Sequence, residues 1–60
     1  MSDNGYVYIQ AEYNGGVWQT LSTVVNNSQI IAHGIKSLSQ RMPGKRIRAV
    51  DENGRVVDML

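Results

Sequence analysis

Apolar and polar residues alternate from Tyr6 through Val7-Tyr8-Ile9-Gln10-Ala11-Glu12-Tyr13. A period of two in aromatic and β-branched residues predicts a strand over residues 6–13. Asn14-Gly15-Gly16 then supplies residues that tolerate positive φ, the chemistry of a hairpin loop. Val17 to Val24 predicts the return strand, residues 17–24. Asn26-Asn27-Ser28 offers three N-cap candidates, and with Asn26 as the cap Gln29 would complete a capping box. The period changes here. Ile31, Ile35, Leu38 and Met42 share one face of a helix over residues 28–41, and Ile30 widens that stripe. Gly34 lies within the stripe at a cost of about 1 kcal/mol relative to alanine. It either permits close approach to a strand or is simply tolerated. Arg41 suits the negative end of the helix dipole, and Pro43-Gly44 ends the helix. Strands over residues 45–51 and 55–60 follow, joined through Asp51-Glu52-Asn53-Gly54.

The order ββαββ predicts an α+β fold: one domain over residues 1–60, a four-stranded antiparallel sheet and one helix on one face. A 14-residue helix spans roughly 21 Å and a seven-residue strand about 23 Å, so the elements match in length. Strand order 2-1-3-4 lets every neighbour run antiparallel; pairing of the hairpins between chains is the competing topology. Register assigns the faces. A three-residue loop at Asn14-Gly15-Gly16 pairs Tyr13 with Val17 and gathers Val7, Ile9, Ala11, Val17 and Leu21 on one face. Tyr6, Tyr8 and Trp18 take the other; a two-residue turn would move Trp18 to the Ile9 face. In the second hairpin, a three-residue Glu52-Asn53-Gly54 loop pairs Asp51 with Arg55. Ile47, Ala49, Val57 and Met59 then share a face, and Arg48 stands opposite Asp58. A two-residue turn would instead set Asp58 beside Ala49.

Composition narrows the class. Hydrophobic residues make up 42%, charged residues 18%, and the formal net charge is +1, a balance of globular domains rather than disordered tails. There is no cysteine, which excludes disulfides, Cys-ligated zinc, iron–sulfur clusters and thiol nucleophiles. A 60-residue core without staples is marginal, and such domains gain stability by oligomerising. No apolar run approaches the roughly 20 residues of a membrane span, and Met1-Ser2-Asp3-Asn4-Gly5 lacks the pattern of a signal peptide. A cytoplasmic protein is the expectation.

Two surfaces could carry function. Tyr6, Tyr8 and Trp18, with Val50, Val56 and Leu60, form the face that the helix leaves open. This is a candidate dimer interface, where tyrosine and tryptophan are enriched, or an aromatic platform for single-stranded nucleic acid. Arg41, Lys45, Arg46 and Arg48 form the basic cluster and could contact phosphates, although Asp51, Glu52 and Asp58 offset their field. A sequence pI near 8.2 also falls below that of a typical basic nucleic-acid-binding domain. Read more simply, the cluster keeps an edge strand soluble.

No catalytic, cofactor or metal site emerges. His33 is the one histidine, falls nearly opposite Ile35 on the helix, and has no local partner to orient it or share a metal. Asp51 and Glu52 belong to a turn. Asn14-Gly15-Gly16 opens no helix and carries no Lys-Ser/Thr signature, so it is no phosphate loop.

Pro43 to Asp51 followed by Gly54-Arg55-Val56-Val57-Asp58, with Gly16-Val17-Trp18 upstream, resembles the closing hairpin of short bacterial and prophage proteins. The resemblance covers half the chain, implies a small ββαββ protein and brings no functional residues. The expected function is a non-catalytic protein-interaction module, homodimeric through the open sheet face, with weak nucleic-acid binding as the alternative.

Overall fold

The computed structural model describes residues 5–60. Met1 to Asn4, on which the expectation of no signal peptide rests, lie outside them. The elements are β1 (Tyr6–Tyr13), β2 (Val17–Val25), α1 (Ser28–Arg41), β3 (Ile47–Asp51) and β4 (Val56–Met59). They form an α+β fold with one antiparallel sheet in the order β2-β1-β3-β4 and the helix on one face. The hairpins therefore pair within one chain, through β1 and β3. Compared with the sequence reading, β2 is one residue longer, β3 starts at Ile47 rather than Lys45, and β4 is trimmed at both ends.

The first hairpin has the three-residue loop, and Tyr13 faces Val17. Asn14, Gly15 and Gly16 all take positive φ (48°, 66° and 119°), a run that residues with larger side chains would resist. The helix is capped by Asn27, not Asn26: its side-chain oxygen accepts from the backbone N–H groups of Gln29 and Ile30 at 2.9 and 3.1 Å. Gln29 is thus the second helical residue, and the capping box is not made. At the other end the Met42 N–H still reaches the Leu38 carbonyl at 2.9 Å before Pro43 stops the helix.

The buried core is aliphatic. Val7, Ile9 and Ala11 of β1 and Ile47 and Ala49 of β3 pack beneath Ile31 and Ile35 of α1, flanked by Tyr13, Val24, Leu38 and Met42. The close approach at Gly34 is real: a Cβ there would lie 3.6 Å from Ile9 Cγ1 and 4.0 Å from Val24 Cγ1. Those are ordinary contact distances, so the site has room for a methyl group.

Two bulges change the faces expected from alternation. In β2, Ile9 faces Ser22 while Gln10 faces Thr20, so Leu21 is the extra residue. A bulge reverses the parity beyond it; Val24 is thereby turned to the core. In the second hairpin the Asp51–Arg55 closure holds, with Asp51 N–H donating to the Arg55 carbonyl at 2.9 Å. Val57 is then skipped: Val50 faces Val56, Ala49 faces Asp58 and Arg48 faces Met59. Arg48 is therefore not opposite Asp58, and Met59 leaves the helix side for the open face. Leu60 moves the other way, its N–H donating to the Ile47 carbonyl at 3.0 Å on the helix side. Asp58 tolerates its place beside Ala49 because β4 is an edge strand, where the carboxylate stays exposed and accepts from the Met59 N–H.

Replacing Gly34 with alanine should stabilise the domain by about 0.5–1 kcal/mol, since it removes the helix cost of glycine and meets no clash. Ile9→Ala should cost about 2–5 kcal/mol. Chemical denaturation of both variants against the parent checks the pair.

Candidate open-face site

Alternation along β1 places Tyr6, Tyr8, Gln10 and Glu12 on the face opposite the helix, and the strand pairings extend each into a row across the sheet. Tyr6 faces Val25. Tyr8 lies between Thr23 and Val50, and Val50 faces Val56. Gln10 lies between Thr20 and Arg48, and Arg48 faces Met59. Glu12 lies between Trp18 and Arg46, its N–H donating to the Arg46 carbonyl at 3.0 Å. The open face therefore has two halves.

The half nearer the start of β1 is apolar: Tyr6, Tyr8, Val25, Val50 and Val56. Tyr6 is 55% exposed, Val25 46% and Val56 45%, while Val50 is buried although it lies outside the core beneath the helix. None of the four aromatic residues of the chain is buried; the core is built from aliphatic side chains alone.

The other half is polar and internally tied. Arg48 Nε donates to Gln10 Oε1 at 2.8 Å, and Gln10 Nε2 donates to Thr20 Oγ1 at 3.1 Å. The Arg48 guanidinium also lies 4.0 Å from the centre of the Trp18 ring, a cation–π stack. Arg46 stands 3.9 Å from the Glu12 carboxylate and directs a second nitrogen to Met59 Sδ at 3.7 Å. Arginine at position 48 thus bridges β3, β1 and β2 across the sheet with one planar group.

Of the expected interface residues, Tyr6, Tyr8, Val50 and Val56 come together, Trp18 shares their face at the polar end, and Leu60 does not belong. Val25 and Met59 were missed because of the bulges: without the extra residue at Leu21, Val25 would fall on the helix side with Val17, and without the one at Val57 so would Met59. The basic cluster does not form one patch. Arg46 and Arg48 share the open face with Trp18. Lys45 lies over the Tyr13 ring at 4.4 Å, on the helix side where Tyr13 meets Met42, and Arg41 borders a cleft between α1 and β2.

Two acidic residues of the second hairpin accept backbone N–H groups, one within its turn and one from the start of β1. Asp51 Oδ1 accepts from the N–H groups of Asn53 and Arg55, both at 2.9 Å, and Glu52 Oε2 accepts from the Tyr6 N–H at 3.2 Å. His33 is exposed. Among the described residues no group of three or more His, Asp or Glu could hold a metal ion, and no helix is long and apolar enough to cross a membrane. No protein-family model, curated protein or solved structure matches the chain.

The Arg48–Trp18 stack should register as a coupling of about 0.5–1 kcal/mol in a double-mutant cycle of Arg48→Ala and Trp18→Leu. Arg48→Ala alone should also shift Trp18 fluorescence, since the ring loses its cationic cover.

Proposed function

We propose that the chain is a non-catalytic protein-interaction module that works as a homodimer through the open face of its sheet. The observation that carries this reading is the apolar half of that face. Tyr6, Tyr8, Val25, Val50 and Val56 adjoin one another across all four strands, and patches of this kind on small domains mark contact surfaces. A twofold contact sets the same patch against itself, so the apolar half meets its own copy. Arg46 and Arg48 then remain toward the rim, where Glu12, Gln10 and Trp18 already engage them.

Size sets the strength. Four strands at about 4.8 Å and roughly 20 Å of strand length give a whole face of about 400 Å², of which the apolar half offers about 200 Å² per partner. That lies below the standard size of specific interfaces, so association is weak and belongs in the micromolar to millimolar range. Oligomerisation also answers the marginal core of a 60-residue domain that has no disulfide.

A second reading draws on the polar half: Arg46 and Arg48 beside Trp18 could contact single-stranded nucleic acid by phosphate neutralisation and stacking. Glu12 beside Arg46 and the occupation of Trp18 by Arg48 count against it. Labelled DNA or RNA titrated at rising salt separates the readings. Salt-sensitive binding lost in an Arg46→Ala/Arg48→Ala variant would support the second.

Sedimentation at micromolar to millimolar concentration should show the mass rising from 6.7 kDa toward twice that value. Val56→Lys places a charge in the patch and should hold the chain at the monomer mass without unfolding it. A parent chain that stays at the monomer mass throughout would overturn the dimer.

A further inference from the structure

The two edges of the sheet are built differently. β4 is four residues long, bulged at Val57 and marked by the exposed Asp58, features that discourage pairing with another strand. β2, the other edge, is also bulged, at Leu21, but runs for nine residues without a charge or a proline. Its length and lack of charge leave it more open to a further strand than β4 is.

A cleft adjoins that edge on the helix side. Leu21 and Ser22 of β2 form one wall, and His33, Ser37, Leu38 and Arg41 of α1 the other, around a volume of about 190 Å³ with Gly34 between them. The bulge is what re-aims Ser22 to this side, in the way bulges do. His33, Ser37 and Arg41 recur every fourth residue, which sets them in one row along the helix with a spacing of about 6 Å. Alternate side chains of an extended strand are spaced about 6.7 Å apart. The two periods are close enough for neighbouring pairs to meet.

Charge selects the occupant. No aspartate or glutamate occurs from Asn14 to Val50, so neither β2 nor α1 brings an anion to the cleft. Arg41 makes no ion pair among the described residues. We propose that the β2 edge takes up an extended acidic peptide segment of a partner protein as a fifth strand, with alternate carboxylates directed into the cleft toward Arg41 and the adjoining row. Backbone hydrogen bonds supply affinity in this mode and side-chain pockets supply specificity. A second copy of the chain fits less well: pairing β2 with β2 would bring two acid-free, cationic helices together with nothing to neutralise them. The site is separate from the open face, and neither proposal depends on the other.

The probe is a nonapeptide alternating Glu with Thr or Val, capped at both ends, compared with a counterpart carrying Lys for Glu. Amide chemical shifts of the labelled chain are followed at low salt. The Glu peptide should shift the amides of β2 and of His33, Ser37 and Arg41, and bind at least about tenfold more tightly than the Lys peptide. Arg41→Glu, on the exposed end of the helix, should reverse that preference while keeping the parent spectrum elsewhere. The monomeric Val56→Lys variant should bind the Glu peptide as the parent does, which separates this site from the dimer contact. No shifts at millimolar Glu peptide, equal binding of both peptides, shifts confined to the open face, or a preference unchanged by Arg41→Glu would each overturn the proposal.

Discussion

One helix has to serve four strands. Ile31 and Ile35 reach the two central strands, where Ile9, Ile47 and Val7 are the largest fully buried side chains, and everything else follows from how little else the helix can cover. At Gly34 the helix passes over Ile9 and Val24 at ordinary contact distance, and the core beneath it is small. Burial at about 25 cal/mol per Å² is confined to a few aliphatic residues. The aromatic residues, which carry the largest apolar area per side chain, are left to the periphery and the open face.

That distribution connects the core to the surfaces. With the helix side closed by aliphatics, the opposite face holds Tyr6, Tyr8 and Trp18 in rows that β-pairing fixes. The polar half is organised by Arg48, whose planar guanidinium stacks on Trp18 while donating to Gln10; a lysine could not do both. Among the described residues the apolar half has no such internal partner. The same economy leaves β2 only partly covered by the helix, and there the fold exposes a long uncharged edge beside a cleft bordered by Arg41. Two distinct surfaces arise from one shortage of covering elements.

The fold was legible where local chemistry is unambiguous. The change of period at Ile31 marks the helix, Asn14-Gly15-Gly16 fixes the first loop and the Tyr13–Val17 closure, and from that closure Trp18 follows to the open face. The bulges were not legible. Leu21 and Val57 each sit in runs where neighbouring residues suit either face, so an extra residue leaves no trace in the hydrophobic pattern. Its consequences reach the strand ends: Val24 turns inward, while Met59 and Leu60 exchange sides. The N-cap shows the same limit at shorter range, because Asn26, Asn27 and Ser28 are all competent and only the backbone geometry chooses Asn27. The basic cluster looked continuous in sequence but is divided by strand alternation and the helix end. The cleft beside β2 depends on the Leu21 bulge and was missed with it.

The central claim is that the apolar half of the open face is a contact between copies. Its most direct test is a mixed sample of isotope-labelled and unlabelled chains, in which filtered NOEs report only contacts between molecules. The account predicts intermolecular contacts among the Tyr6 and Tyr8 rings and the methyl groups of Val25 and Val56, with none from Ile31 or Ile35. Contacts arising only from the helix side, or none at millimolar concentration, would contradict it.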